Sequence, residues 1–72
     1  MHFLYQILTS VYVYTLYEED EYIFLHVKNL HNNKTRDITK SDRILDVLFF
    51  DSEVTPEGYE TVEELVSEYR HY

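Results

Sequence analysis

The stretch Val11-Tyr12-Val13-Tyr14-Thr15-Leu16-Tyr17-Glu18-Glu19-Asp20-Glu21-Tyr22-Ile23-Phe24-Leu25-His26-Val27 reads as two strands joined by a charged turn. Its first limb is β-branched and aromatic, which suits a pleated, half-buried surface. In its second limb Ile23, Leu25 and Val27 alternate with Tyr22, Phe24, His26 and Lys28, the period-2 pattern of a strand with one buried face. Four consecutive acids, Glu18–Glu21, separate the limbs, so an antiparallel hairpin with an anionic tip is expected.

Working outward, the first limb extends back to Phe3, as one long strand over Phe3–Tyr17 or as two strands broken near Thr9-Ser10. Alternation puts Phe3, Tyr5, Ile7, Val11, Val13 and Tyr17 on one side and Leu4, Leu8, Tyr12, Tyr14 and Leu16 on the other. Both sides are apolar, so both call for cover: helices of the same domain on one, a second subunit on the other. Beyond Tyr22–Leu30, His31-Asn32-Asn33-Lys34 is a turn, because asparagine tolerates left-handed backbone. A short further strand fits Thr35–Ile38. Thr39-Lys40-Ser41-Asp42 reads as a helix start with Thr39 or Ser41 as N-cap, and the helix Asp42–Phe50 buries Ile44, Leu45, Leu48 and Phe49. Asp51–Gly58, with the only proline and only glycine, reads as a loop. Thr61-Val62-Glu63-Glu64 has the form of a capping box, and Val62, Leu65, Val66 and Tyr69 make one apolar stripe of a final helix. The expected fold is α+β, one domain over residues 1–72: a small antiparallel sheet of two to three strands followed by two helices packed on one face. A homodimer is expected through the second sheet face or the strand edge, with Tyr12, Tyr14, Tyr17, Tyr22 and Phe24 as its interface, since tyrosine buries its ring and finds a partner for its hydroxyl.

The chain has 72 residues, no cysteine and a formal charge of -8. At this size only about 60% of the unfolded surface is buried, so aromatic bulk and oligomerisation are the available aids to stability. Without cysteine there is no disulfide framework, thiolate metal site or thiol nucleophile, and an intracellular setting is expected. Phe3–Tyr17 is uncharged but shorter than the roughly 20 residues a spanning helix needs, and it lacks the flanks of a signal peptide. No membrane association is expected, and the Asn33-Lys34-Thr35 sequon carries no weight without a secretory signal.

The charge is lopsided. Residues 1–40 carry -1 and residues 41–72 carry -7. From Ile44 to Tyr69 there are eight carboxylates, Asp46, Asp51, Glu53, Glu57, Glu60, Glu63, Glu64 and Glu68, and no lysine or arginine; Asp42 lies just before them. Glu60, Glu64 and Glu68 recur at i, i+4, i+8, where like charges cost a helix about 0.2–0.5 kcal/mol per pair. An anionic surface kept at that cost attracts cationic partners over long range. Duplex DNA carries about one charge per 1.7 Å, so one chain matches about 14 Å of duplex and a dimer at -16 about 27 Å. The expected partner is therefore a basic DNA-binding protein, met by these nine acids together with the tip acids Glu18, Glu19, Asp20 and Glu21. The plainer reading is a solvated acidic face, with the tip charged to protect a sheet edge.

Direct nucleic-acid binding is not expected, since Lys28, Lys34, Arg36 and Lys40 make only a small basic strip on an acidic chain. No metal and no cofactor are expected: His26 and His31 are five apart, His2 and His71 sit near the two ends, and Asp51-Ser52-Glu53-Val54-Thr55 lacks the calcium-loop pattern. There is no Gly-x-Ser-x-Gly, no phosphate loop and no cysteine, so a non-enzymatic protein is expected.

Size, acidity, abundant tyrosine and asparagine, and absent cysteine together resemble the early bacteriophage proteins that meddle with their host, and among them the small acidic DNA mimics. One type inhibits the bacterial nucleoid protein HU and is an acidic dimer; another inhibits uracil-DNA glycosylase and has a strand–strand–helix pattern. The run Ser10-Val11-Tyr12-Val13-Tyr14-Thr15-Leu16-Tyr17-Glu18-Glu19-Asp20 is similar to the first hairpin strand and acidic turn of the latter, over about a sixth of the chain. Anti-CRISPR proteins share the composition. The resemblance implies a host-takeover inhibitor in the bacterial cytoplasm, occupying the DNA groove of an HU-like protein. The alternative it implies is an inhibitor of a host enzyme (uracil-DNA glycosylase, a CRISPR effector or RNA polymerase) docking through an aromatic surface.

Overall fold

The computed structural model describes residues 1–70. Four strands are followed by two helices: β1 (His2–Leu8), β2 (Tyr12–Glu19), β3 (Tyr22–Asn29), β4 (Thr35–Ile38), α1 (Ser41–Phe49) and α2 (Pro56–Glu68). The sheet is an antiparallel meander in the order β1-β2-β3-β4. The α+β class is as expected. The sheet has four strands because the apolar run from Phe3 does break, and the reason is local hydrogen bonding. The Thr9 hydroxyl accepts from the backbone N–H of Val11 at 3.2 Å and of Tyr12 at 2.8 Å, closing a turn that a β-branched residue in a continuous strand would not make.

At the hairpin tip the loop is only Asp20-Glu21, since Glu18 and Glu19 belong to β2. Both loop residues have positive φ, 53° and 71°, as a type I′ hairpin requires, without the usual glycine. At the next turn the Asn29 side chain accepts from the N–H of His31 at 2.8 Å, and Asn33 takes a φ of 60°.

Both helices lie on one sheet face, α1 over β3 and α2 over β1. Leu16, Ile23, Leu25, Ile44, Leu48 and Val62 are fully buried between the layers, with Tyr14, Val27, Ile38 and Val66 around them. At about 1.5–3 kcal/mol per buried aliphatic side chain, this one layer supplies most of the driving force for folding. Gly58 sits where α2 crosses β1; a Cβ there would lie 3.4 Å from the Ile7 Cδ1 atom and 3.3 Å from the Thr55 hydroxyl.

Three sequence expectations are corrected. First, α2 begins at Pro56, not after Gly58: Thr55 is the N-cap, its hydroxyl accepting from the Gly58 N–H at 3.1 Å, with proline at the first helical position. Thr61 is therefore mid-helix, and its hydroxyl donates to the Glu57 carbonyl at 2.9 Å instead of forming a capping box. Second, α1 is capped by Lys40, with no side-chain cap bond from Thr39 or Ser41. Phe49, placed in the core by its spacing, is 69% exposed. Third, Tyr5 and Ile7 do not share a face with Phe3, Val13 and Tyr17. A β-bulge between Phe3 and Tyr5 shifts the phase of β1, so Tyr5 pairs with Leu16 and Ile7 with Tyr14, on the helix-covered side.

Candidate functional site

Once their hydrogen bonds are traced, the thirteen acids expected to bind a partner divide into four bonded within the fold, five on α2, and the remaining Glu19, Asp20, Glu21 and Asp46. Four do internal work. Asp51 accepts from the Tyr14 hydroxyl at 2.5 Å and from the Glu53 N–H at 3.0 Å. Glu53 holds Ser10, accepting from its N–H at 3.1 Å and its hydroxyl at 2.6 Å, and so ties the α1–α2 loop to the β1–β2 turn. Glu18 meets the His2 ring and accepts from the Glu21 N–H at 3.0 Å, and those two bonds, the His2 contact first, lower its pKa. Asp42 accepts from the Arg43 N–H at 2.9 Å. The oxygens of these four already accept hydrogen bonds within the fold, which leaves them less available to a partner than carboxylates without such bonds.

Glu57, Glu60, Glu63, Glu64 and Glu68 are different. All are exposed on α2, and among the described residues their carboxylates make no ion pair and accept no hydrogen bond. At 100° per residue Glu57, Glu60, Glu64 and Glu68 fall within about 80° of arc, opposite buried Val62 and Val66, with Glu63 about 60° to one side. Eleven residues of rise spread them over about 17 Å, a mean step of about 4 Å. One strand of B-DNA carries a phosphate every 3.4 Å or so. The ridge thus approaches the axial charge density of a single DNA strand.

The hairpin tip joins this ridge at one end. The Arg70 N–H donates to the Glu21 carbonyl at 2.8 Å, the Ile23 N–H donates to the Arg70 carbonyl at 3.0 Å, and the Arg70 guanidinium lies 3.5 Å from Glu21. The residues just beyond α2 are therefore laid beside the tip, where Glu19 and Asp20 are exposed. Asp46 is also exposed, on α1.

The five aromatic residues expected at a dimer interface do not share a surface. Tyr17, Tyr22 and Phe24 project from the face without helices, where Tyr17 and Phe24 stack at 5.5 Å. Tyr12 and Tyr14 pair with Asn29 and Val27 on the helix side, and Tyr14 is only 3% exposed. Strand alternation separates them, so Tyr12 and Tyr14 are corrected to core and groove positions.

Two features were not anticipated. Phe49 and Phe50 are both exposed at the end of α1, their rings 5.7 Å apart, and Phe49 also meets Tyr59 of α2 at 5.9 Å. Consecutive phenylalanines at a helix end carry a weak signal of this, since only one can lie on the buried face. An open groove of about 560 Å³ lies between the end of the sheet and α1, with Tyr12, Tyr14, Arg36, Arg43, Asp46 and Phe50 among its lining. Burial, then the Asp51 hydrogen bond and charge, raise the Tyr14 pKa well above the usual phenol value, so this hydroxyl stays protonated as a donor at neutral pH.

Among the described residues no three His, Asp or Glu side chains group as metal ligands, and no helix is long and apolar enough to cross a membrane. His26 lies against Asp37 at 2.7 Å; His71 is outside the described residues. No family model matches the chain, and neither a curated protein nor a solved structure matches it.

Proposed function

We propose that this protein is a non-enzymatic inhibitor that mimics DNA, presenting the α2 ridge to the DNA-binding groove of a basic host protein of the HU nucleoid type, in the bacterial cytoplasm. The observation that carries this reading is the row of five exposed α2 carboxylates, without ion pair or accepted hydrogen bond among the described residues, at close to the charge spacing of a nucleic-acid strand. A groove that binds DNA by backbone charge with little sequence preference is the kind most easily filled by charge alone. Glu57, Glu60, Glu63, Glu64 and Glu68 take phosphate positions; Asp20 and Asp46 widen the field. Association is fast and falls steeply with salt.

The test is titration of an HU-type protein with the full chain and with a triple variant, Glu60→Gln, Glu64→Gln and Glu68→Gln. Mimicry predicts competition with duplex DNA and at least tenfold weaker binding by the variant, with its circular dichroism unchanged. Undiminished binding by a folded variant sinks the reading. Phe50, 81% exposed, favours a second reading, in which the chain docks on a host enzyme through its aromatic surface. In that case Phe50→Ala abolishes capture and the glutamine variant does not.

A further inference from the structure

The sheet face that carries no helix has a composition unlike the rest of the molecule. Strand register places Phe3 and Leu8 of β1, Val13 and Tyr17 of β2, and Phe24 of β3 on it. Phe3 is 61% exposed and Leu8 68% exposed. Phe3, Tyr17 and Phe24 run as a continuous aromatic row across three strands, with centroid separations of 6.4 and 5.5 Å. Among the described residues Glu19, Lys28, Asp37 and, through its bridge to Tyr22, Arg70 bear formal charge there, a net of zero on a chain of -8. Depletion of charge with enrichment of aromatics marks the core of protein interfaces.

We infer that a second copy of this chain covers this face, giving a two-fold dimer in four layers: helices, sheet, sheet, helices. Charge selects the occupant. A basic partner gains most at the acidic helix side and least at this near-neutral face. Two copies at -8 can meet only where their own charge is low, and this is that surface. With layers about 10 Å apart, the two α2 helices lie about 30 Å from each other, several Debye lengths at physiological salt, so their mutual repulsion is screened. Four strands about 4.8 Å apart and about seven residues long present roughly 450 Å² of projected area per copy. The accessible surface of a corrugated side-chain layer exceeds its projection, which brings two such faces into the range of small specific interfaces. Burial of exposed Phe3 and Leu8 supplies the attraction.

This inference does not depend on the identity of the partner of α2, and its salt dependence runs the other way. Charge-driven binding by α2 weakens as salt rises, whereas an apolar contact between two anions strengthens. The experiment is sedimentation velocity of the full chain over a salt series, alongside a Phe3→Lys, Leu8→Lys double variant and a Phe49→Lys, Phe50→Lys double variant that alters the other exposed aromatic patch. The expected result is a dimer that tightens with salt, at least tenfold weaker association for the Phe3 and Leu8 variant with its circular dichroism intact, and an unchanged dimer for the Phe49 and Phe50 variant. A monomer at all salts overturns the inference. So does a dimer that salt dissolves, a dimer indifferent to lysines at Phe3 and Leu8, or one lost through lysines at Phe49 and Phe50.

Discussion

Tyr14 shows how one side chain can join the sheet to the helix layer. Its ring is buried against the core of the sheet, and its hydroxyl donates to Asp51 just beyond α1. A hydrogen bond to a charged acceptor contributes about 1.5–3 kcal/mol, and less where the acceptor is partly solvated. Tyr14→Phe is therefore expected to lower stability by about 1–2 kcal/mol in urea unfolding, with little change in fold. The same residue sets a pH response. Because burial and Asp51 raise its folded-state pKa, the folded chain keeps the phenolic proton longer than the unfolded chain does. Its contribution is complete below about pH 10, the unfolded phenol's value, and is lost as pH rises beyond it. Urea midpoints measured from pH 9 to 11 are expected to fall, and less steeply for Tyr14→Phe. An equal slope for both proteins contradicts this account of Tyr14.

At the scale of elements, α2 is the informative case. Thr55-Pro56-Glu57-Gly58 and Thr61-Val62-Glu63-Glu64 both offer a threonine ahead of a helix, and sequence spacing alone favours the second. The fold uses the first, because Gly58 lets the helix begin against Ile7 of β1 and the Thr55 hydroxyl reaches the Gly58 N–H. Thr55→Ala is expected to cost about 1 kcal/mol of unfolding free energy, as lost N-caps do, and Thr61→Ala less than about 0.5 kcal/mol. The reverse order in a denaturation series would place the helix start at Thr61. The strands follow the same logic. Alternation correctly sorts Ile23, Leu25 and Val27 from Tyr22, Phe24 and His26 in β3, where nothing interrupts the pleat. It fails in β1, where a bulge changes the phase and no residue type announces the bulge.

For the whole molecule, charge is unevenly spread: most carboxylates lie on the helices and hairpin tip, and the far sheet face is nearly neutral, with exposed aromatic residues both there and at the end of α1. The helix ridge costs stability, since Glu60, Glu64 and Glu68 form two like-charge i, i+4 pairs and Glu68 sits at the negative end of the α2 dipole. Replacing Glu64 by glutamine removes both pairs and is expected to raise stability by about 0.4–1 kcal/mol in dilute buffer, a gain that shrinks in ~0.5 M salt. Thermal unfolding at the two salt levels checks it. If the same change also weakens partner binding, the helix is keeping an unfavourable surface for recognition.

The fold class, both helices, the hairpin and the α2 carboxylate ridge were legible in the sequence, because each rests on short-range periodicity: alternation of two for strands, 3.6 for helices, and Glu at i, i+4, i+8. The site was legible only in part. Asp51, Glu53 and Glu18 have the same side-chain chemistry as Glu60 or Glu64. What separates them is whether Tyr14, Ser10 or His2, distant in sequence, arrives within hydrogen-bonding reach. Likewise Tyr12 and Tyr14 match Tyr17 and Phe24 in type, but the face each one takes depends on strand phase and on the side the helices cover. Residue type and spacing determined what this chain can form locally; long-range packing decided which acids accept hydrogen bonds within the fold and which stay exposed without them among the described residues.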